Sequence, residues 1–183
     1  MVANIAPEAH SMRRFFYRIS NLRQFILMIN IDETDLAILH ALQQDGRITN
    51  ADLADSIGLS PSACHRRVRA LETDGVIARY AALIDRELVG RGVSVFVEIS
   101  LESQREDLLD DFEAKIVQVP NVQSCHLMAG DADYLVHVTC SDVADYETVH
   151  REYLAVLPGV TRVRSSFAIR KVTDTTTLDL QPR

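Results

Sequence analysis

The sequence contains no tryptophan and only three cysteines, Cys64, Cys125 and Cys140. No two of them form a Cys-x-x-Cys pair, and an odd number of separated cysteines fits neither a disulfide framework nor a zinc site of the usual spacing. Cys125 and Cys140 lie in apolar, strand-like runs. We therefore expect three reduced, buried thiols in a cytoplasmic protein without a metal ion.

No apolar run is long enough to span a membrane. The segment "SMRRFFYRISNLRQFILMIN" begins like a signal peptide, but Arg18 and Arg23 interrupt its apolar core. A helix there would align apolar residues on one face and permit packing, dimerisation or weak membrane contact; these residues are Phe15, Ile19, Leu22, Ile26 and Ile29. The alternative is that the native start is Met28. Residues 1–30 are treated as an N-terminal extension without an assigned role.

A catalytic constellation is also missing from the sequence. There is no Ser/His/Asp order, no glycine loop for a phosphate and no setting that would activate a cysteine. Cys125, His126 and His137 lie along one predicted hairpin, but neighbouring strand positions point to opposite faces, so they do not converge on a metal. The acids of residues 102–113 alternate with apolar residues at helical spacing and indicate a solvated helix face. We predict neither an enzyme nor a cofactor.

Acidic residues outnumber basic residues overall, but one segment is locally basic. The chain of 183 residues has a net charge of -7 and a pI near 5.3, which argues against a protein that coats polyanions. Charges more than about 10 Å apart are largely screened at moderate salt, so local patches decide binding. The segment "GLSPSACHRRVRALETDGVIARY" is such a patch, because it carries four arginines and a histidine.

Residues 31–82 read as three helices. Asp32 and Asp35 predict the start of the first helix, and Gly46 predicts a left-handed stop after it. Thr49, followed by Asp52, resembles a capping box and opens the second helix, which Gly58 ends.

The third helix is the one that carries the basic patch. Ser60 is the predicted cap, Pro61 the first helical residue and Gly75 the stop. Two short helices joined by a tight turn with a glycine form a helix-turn-helix. "VIARYAALID" then alternates like a short wing strand.

The spacing on the third helix separates a buried face from a solvent face. Cys64, Val68 and Leu71 share the buried face, while Ser62, Arg66 and Arg69 lie opposite with His65 beside them. A helix fits the DNA major groove, and arginines supply contacts to phosphates and guanine. We predict base contacts by Ser62, Ala63, His65 and Arg66. Phosphate contact or bracing of the fold is predicted for Arg47, Arg67, Arg69 and Arg79, and Ser60 completes the predicted DNA-binding set.

The second half of the chain repeats itself at an offset of 38 residues. Ser103 corresponds to Ser141, and Asp107 to Asp145. Each copy reads as a strand, a Ser-capped amphipathic helix, a Pro-containing turn and a second strand. The helices are expected to bury Leu108, Phe112, Ile116 and Val119 in the first copy, and Tyr146, Val149, Tyr153 and Leu157 in the second.

Two such copies make a βαββαβ, ferredoxin-like domain, so the predicted fold class is α+β. We assign residues 93–172 to this domain, residues 83–92 to a hinge, and residues 173–183 to a C-terminal tail.

Three stretches resemble the Lrp/AsnC, or feast/famine, family of transcription regulators. They are "IDETDLAILHALQQDGRITNADLADSIGLSPSACHRRVRALETDGVI", "VPNVQSCHLMAGDADYLVHV" and "LPGVTRVRSSFAI". The resemblance covers residues 31–172 and implies a winged helix-turn-helix domain followed by a RAM-type ferredoxin-like domain. It also implies a DNA-binding regulator that forms a homodimer and a higher oligomer such as an octamer, with a small amino acid as effector.

The resemblance places the effector at the loop "LMAGDADYL". Gly130, Asp133 and Tyr134 match the family pattern best. Asp133 would receive the ammonium of an amino acid, and main-chain N–H groups near Met128, Ala129 and Gly130 would receive its carboxylate. The predicted effector set also includes His126 and Asp131. Without the resemblance, "AGDADY" is an ordinary hairpin turn.

Two alternatives remain open from the residues alone. One is a ligand-binding ferredoxin-like protein with the N-terminal domain as an adaptor. The other is a protein-interaction module that does not bind an operator.

Overall fold

The computed structural model describes residues 30–181, so the predictions for residues 1–29 lie outside the described residues. Within that range the chain forms two compact units, one made of residues 30–83 with 172–181 and the other of residues 84–171. Residues 172–181, most of the predicted C-terminal tail, therefore group with the N-terminal unit. No helix among residues 30–181 is long and apolar enough to cross a lipid bilayer.

The N-terminal unit is helical. Its described part contains α1 (Glu33–Gln44), α2 (Asn50–Ser56) and α3 (Pro61–Thr73). Ile38 from α1, Leu53 from α2, and Cys64 and Leu71 from α3 form its buried core. The predicted buried face of α3 is confirmed, because Cys64 and Leu71 are buried and Val68 packs against the same core.

The predicted starts of these helices are largely confirmed. Asp32 and Asp35 form a capping box, in which the Asp35 amide donates to Asp32 Oδ1 at 2.8 Å. Ser60 accepts from the Ala63 amide at 3.3 Å, and Pro61 is the first residue of α3. At α2 only half of the box forms, because the carboxylate of Asp52 binds the hydroxyl of Thr49 at 2.6 Å rather than its amide.

The predicted helix ends are confirmed at two glycines and wrong at a third. Gly58 and Gly75 adopt the left-handed conformation, with φ of 70° and 72°. Gly46 does not. The chain leaves α1 one residue earlier, at Asp45, which is extended with φ of -139°, and its carboxylate accepts from the Arg47 amide at 2.8 Å. This local hydrogen bond turns the chain without a left-handed residue.

The predicted wing strand is wrong as a strand. Residues 76–85 contain no strand, and every strand among residues 30–181 belongs to the other unit. An alternating segment forms a ladder only if a second strand pairs with it. Here the segment is held by packing of Val76 and Ile77 on the core, and by the Ile77 amide, which donates to the Leu71 carbonyl at 3.0 Å.

The second unit has the predicted ferredoxin-like topology. Its elements are β1 (Val93–Leu101), α4 (Glu106–Ile116), β2 (Val122–Leu127), β3 (Tyr134–Cys140), α5 (Val143–Glu152) and β4 (Val160–Phe167), with a short 3₁₀ helix at Leu154–Val156. The strands form one antiparallel sheet in the order β2-β3-β1-β4. Crossovers through α4 and α5 explain this order.

Alternation along the strands places one face of the sheet against the helices. Val95, Val97 and Ile99 of β1 face the helices together with alternate residues of β3, and all are buried. α4 contributes Phe112 and Ile116 as predicted. The opposite face carries residues such as Phe96, which is 42 % exposed.

Some details of these helices differ from the predictions. α4 buries Leu109, whereas Leu108 is only partly buried against the core. Tyr153 was expected inside but is exposed, because α5 ends at Glu152 and the following 3₁₀ turn directs Leu154 into the core instead.

The predicted serine caps of both helices are also wrong. Arg105 is the N-cap residue of α4, and its side chain makes no capping hydrogen bond. Ser103 instead accepts from the Arg105 amide at 3.2 Å. At α5 the cap is Asp142, whose carboxylate accepts from the Asp145 amide at 2.8 Å.

Candidate DNA-binding and effector sites

The solvent face of α3 is polar and cationic, as predicted. Ser62, His65, Arg66 and Arg69 are exposed, whereas Ala63 is half-buried at the edge of this face. The first turn of α3 contains no acidic residue, so the partial positive charge of the helix N-terminus is not neutralised there. The hydroxyls of Ser60 and Ser62 share a hydrogen bond of 3.3 Å at this end. An anionic surface would meet donors and cations along this face.

A residue that the sequence analysis missed holds the start of α3 in place. The side-chain amide of Asn50, the first residue of α2, donates to the carbonyl of Pro61 at 2.9 Å. The Leu59 amide also donates to the Ala54 carbonyl at 2.8 Å. These bonds join the two helices across the turn and so fix the direction in which α3 projects. In a sequence, an asparagine at the start of a helix predicts a local capping hydrogen bond. It does not predict a hydrogen bond to a carbonyl eleven residues later.

Arg67 is directed into the unit rather than outward. Its Nη1 lies 2.8 Å from Asp32 Oδ2 and 2.8 Å from Asp35 Oδ1, and its side chain is half-buried. The pKa of the Asp32 carboxyl is lowered, first by the hydrogen bond from the Asp35 amide and then by Arg67. Of the two predicted roles for Arg67, the geometry favours bracing of the fold over contact with a phosphate.

Arg47 and Arg79 are exposed, and both adjoin residues that approach each other. The ring of Tyr80 lies next to Gly46, where a Cβ would sit 3.7 Å from its Cδ1. The hydroxyl of Tyr80 donates to Glu72 Oε1 at 3.1 Å. Burial, and then the hydrogen bond to Glu72, raise the pKa of Tyr80.

The bond between Tyr80 and Glu72 joins the segment after α3 to the last turn of α3. Glu72 is the one acid among residues 61–73, so this bond engages the only negative charge of the helix. Tyr80 and Glu72 were both absent from the predicted site, because no sequence signal shows that a tyrosine seven residues beyond a helix folds back onto it.

The predicted effector loop joins β2 to β3 and is open to solvent. His126, Met128, Ala129, Gly130 and Asp131 are all exposed. A Cβ added at Gly130 would meet no atom within 4 Å, so the chain's own packing does not require glycine there. The Met128 amide donates to the Asp133 carbonyl at 2.8 Å. That N–H closes the hairpin, and its predicted contact with a carboxylate remains a prediction.

Asp133 is buried, and its carboxylate is already engaged. One oxygen accepts from the Leu101 amide at 2.7 Å and the other from Gln104 Nε2 at 2.6 Å. The Asp133 amide also donates to the Ile99 carbonyl at 2.9 Å. Asp133 therefore holds the end of β1 and the following loop against the hairpin. Its predicted contact with an ammonium group remains a prediction.

Tyr134 packs in the core rather than in the loop. Its ring stacks on Phe112 with centroids 4.3 Å apart, and its hydroxyl donates to Glu113 Oε1 at 2.9 Å. Burial and then Glu113 raise the pKa of Tyr134 well above its ordinary value. The side chain thus faces the helices, and the predicted effector contact of Tyr134 remains a prediction.

The sheet face opposite the helices is partly apolar. On it, Phe96 stacks on His137 with centroids 4.8 Å apart, and the half-buried Leu135 neighbours His126 across the ladder. Arg164 lies 3.7 Å from Glu98 on the same face. Among residues 30–181, no cluster of three or more His, Cys, Asp or Glu side chains is arranged to hold a metal ion.

Comparison with known proteins connects both halves to one family. Residues 31–78 match a winged helix-turn-helix DNA-binding domain, and residues 94–178 match the Lrp/AsnC ligand binding domain. The Bkd operon transcriptional regulator of Pseudomonas aeruginosa is 44% identical over 79% of this chain and 95% of its own length. The chain belongs to the Lrp/AsnC family of transcriptional regulators.

Other members of the Lrp/AsnC family support the same assignment. The leucine-responsive regulatory protein of Haemophilus influenzae is 39% identical over 82% of this chain and 91% of its own length. A transcriptional regulator of Neisseria meningitidis, solved in complex with L-Met, has a TM-score of 0.78 at 35% identity, over 82% of this chain and 97% of its own. The winged helix-turn-helix and ligand-binding domains of the family thus correspond to the two predicted domains.

Proposed function

We propose that this Lrp/AsnC-family regulator reads double-stranded DNA with the solvent face of α3. The observation that carries the proposal is the separation of charges on that helix. Arg67 is neutralised by Asp32 and Asp35, and Glu72 is engaged by Tyr80, which leaves Arg66 and Arg69 exposed. Arginine can donate two hydrogen bonds to guanine, and each such pair contributes about 1–3 kcal/mol of discrimination. In this arrangement Arg66 reads bases and Arg69 binds phosphate.

The proposed effector is a small amino acid at the loop between β2 and β3. Support comes from the match of residues 94–178 to the family's ligand binding domain and from the Neisseria meningitidis relative solved with L-Met. Gly130 is solvent-exposed with no chain atom near its missing side chain, so an incoming ligand can approach its main chain closely. The ligand is an effector and not a cofactor, and the protein is proposed to act in the cytoplasm without catalysing a reaction.

The proposed working form is a homodimer that can join into a larger oligomer such as an octamer. The partly apolar sheet face with Phe96 and His137 supports pairing of two copies through the ferredoxin-like domains. A dimer would present two α3 helices to major grooves about 34–36 Å apart, or a multiple of that spacing, on a palindromic site. An effector bound near the interface would change operator affinity by roughly 5- to 150-fold, a typical range for coupled sites.

The DNA-binding proposal is tested by replacing Arg66 with alanine. Fluorescence anisotropy with the DNA upstream of the gene should show a Kd raised by about 5- to 150-fold, the equivalent of one lost bidentate contact. Arg151→Ala is the matched control, since Arg151 is an exposed arginine of α5 that pairs with Glu147 and Glu152. Equal affinities of the two variants would remove Arg66 from the interface.

The effector proposal is tested by a thermal-shift screen of the amino acids on the purified protein. A binding amino acid should raise the Tm as its concentration increases. Gly130→Ala should reduce that shift without changing the Tm in the absence of ligand, because the added methyl group meets no atom of the chain. A shift that survives the change unaltered would place the ligand elsewhere.

A further inference from the structure

Within residues 30–181 the chain passes twice between its two compact units. It leaves the N-terminal unit near Leu83 and Ile84, and it returns near Lys171 and Val172. Residues 168–181 of the returning segment form no helix or strand. The segment is held instead by hydrogen bonds to two side chains of α1, Gln43 and His40.

Gln43 of α1 binds both main-chain polar groups of Leu178. Its Oε1 accepts from the Leu178 amide at 2.6 Å, and its Nε2 donates to the Leu178 carbonyl at 3.3 Å. This is the exchange of two hydrogen bonds that a neighbouring strand makes with a residue opposite it. A primary amide reproduces it with one side chain because it carries both an acceptor and a donor.

His40 makes the next contact along the segment. Its Nε2 donates to the Leu180 carbonyl at 3.2 Å. Residues three apart share a helix face, and residues two apart in an extended chain point the same way. The pairs His40–Leu180 and Gln43–Leu178 therefore give one consistent register, with the segment running antiparallel to α1. Leu178 is 66% exposed, so recognition is through the main chain.

We propose that His40 and Gln43 form a docking site on α1 for the chain's own C-terminal segment, residues 178–180. Docking makes this segment a strap, because it orders the second of the two chain connections that residues 30–181 make between the units, the first being residues 84–92. Only ten residues, 168–177, separate the end of β4 from the first docked residue. Release of the strap would leave residues 84–92 as the one ordered connection among residues 30–181.

The test is hydrogen–deuterium exchange of the full-length protein, followed by mass spectrometry of the peptide that covers residues 174–183. Each net hydrogen bond corresponds to roughly a 2- to 12-fold change in an equilibrium constant. Gln43→Ala removes two, so exchange in this peptide should accelerate about fivefold or more. Gln44→Ala is the matched control, because it makes the same substitution at the exposed neighbouring position of α1 and should leave exchange unchanged.

A second variant tests the other partner of the contact. Leu178→Pro removes the main-chain N–H that donates to Gln43. The change should accelerate exchange at the remaining amides of the same peptide. The strap is disproved if the wild-type segment exchanges as fast as a synthetic peptide of residues 172–183, or if Gln43→Ala and Gln44→Ala behave alike. Neither measurement involves DNA or an effector, so its failure would not bear on the proposed function.

Discussion

Nη1 of Arg67, on the third helix of the DNA-binding unit, lies 2.8 Å from Oδ1 of Asp35, in the first turn of α1. The same nitrogen also reaches the cap residue Asp32. One arginine of the basic patch thus joins α3 to the start of α1, and the three arginines of α3 do not have the same role. This division of roles makes predictions that separate folding from DNA binding.

Arg67→Ala should destabilise the protein, whereas Arg66→Ala should not. The change removes two charge-assisted hydrogen bonds from a half-buried group and leaves Asp35 buried without its cation. We expect the free energy of unfolding to fall by about 1–2 kcal/mol, after allowance for solvent screening. Urea denaturation at pH 7 measures it. Equal stability of the two variants would show that the ion pairs are only surface contacts.

The ion pair between Arg67 and Asp32 should also depend on pH. The folded protein holds the pKa of Asp32 below its ordinary value of 3.8. The ionised Asp32 carboxylate therefore stabilises the folded state fully above pH 3.8, and this stabilisation is lost as the pH falls through the lower folded pKa. The stability difference between wild type and Arg67→Ala should therefore shrink as the pH falls below 3.8. A difference that stayed constant down to pH 2 would contradict this origin.

Tyr80→Phe should weaken DNA binding through Arg79. Loss of the hydroxyl bond to Glu72 frees the segment that carries Arg79 and releases the negative charge of Glu72 at the end of α3. We expect operator affinity to fall by roughly 2- to 10-fold, as for one net hydrogen bond. In anisotropy titrations, adding Arg79→Ala to Tyr80→Phe should lower the DNA affinity little further. Both changes would weaken the same contact between Arg79 and DNA.

The control for this pair is Tyr153→Phe, because Tyr153 is an exposed tyrosine of the other unit. This change should leave the affinity for operator DNA unchanged. Fully additive effects of Tyr80→Phe and Arg79→Ala would mean that Tyr80 does not position Arg79.

Asp133→Ala should destabilise the ferredoxin-like unit even without an effector. It would leave the Leu101 amide and the Gln104 side chain without their acceptor, at a cost of about 1–3 kcal/mol for unsatisfied buried donors. Asp131→Ala, two residues earlier and exposed, should be neutral. Thermal unfolding of both variants decides the matter, and an unchanged Tm for Asp133→Ala would leave its carboxylate available for the ligand.

The three thiols should react slowly with alkylating agents in the folded protein. Burial and then the nearby charge of Glu113 raise the pKa of Cys125 to about 11, and burial is the first cause of the raised pKa of Cys64 and Cys140. Only about one Cys125 thiol in a thousand is ionised at pH 8. Mass spectrometry after iodoacetamide treatment should show the rate rising with pH, and fast modification at pH 7 would contradict it.

The sequence predicted the parts of this fold that local chemistry decides. The Asp32 and Ser60 caps, the helix stops at Gly58 and Gly75, and the repeat behind the βαββαβ topology are set by residues close in the chain. Gly46 shows the limit of such signals, because the hydrogen bond that the Arg47 amide donates to the Asp45 carboxylate turns the chain there without a left-handed glycine.

The candidate sites were predictable as segments but not as individual contacts. Helical spacing identified the exposed face of α3 correctly. It could not show that Arg67 turns inward, because that depends on where α1 lies. The orientation of Asp133 depends on the end of β1, thirty-two residues away, and the contact of Gln43 is with main-chain groups, which every residue carries.

The central claim is that α3 presents Arg69 to the phosphates of DNA while Arg67 braces the fold. The most direct test is the salt dependence of operator binding by wild type, Arg69→Ala and Arg67→Ala. Each phosphate contact contributes about 0.9 to the slope of log K against log salt concentration. The slope for Arg69→Ala should be smaller in magnitude by about one unit than that of wild type, with Arg67→Ala unchanged in slope. Identical slopes for wild type and Arg69→Ala, or a reduced slope for Arg67→Ala alone, would contradict the claim.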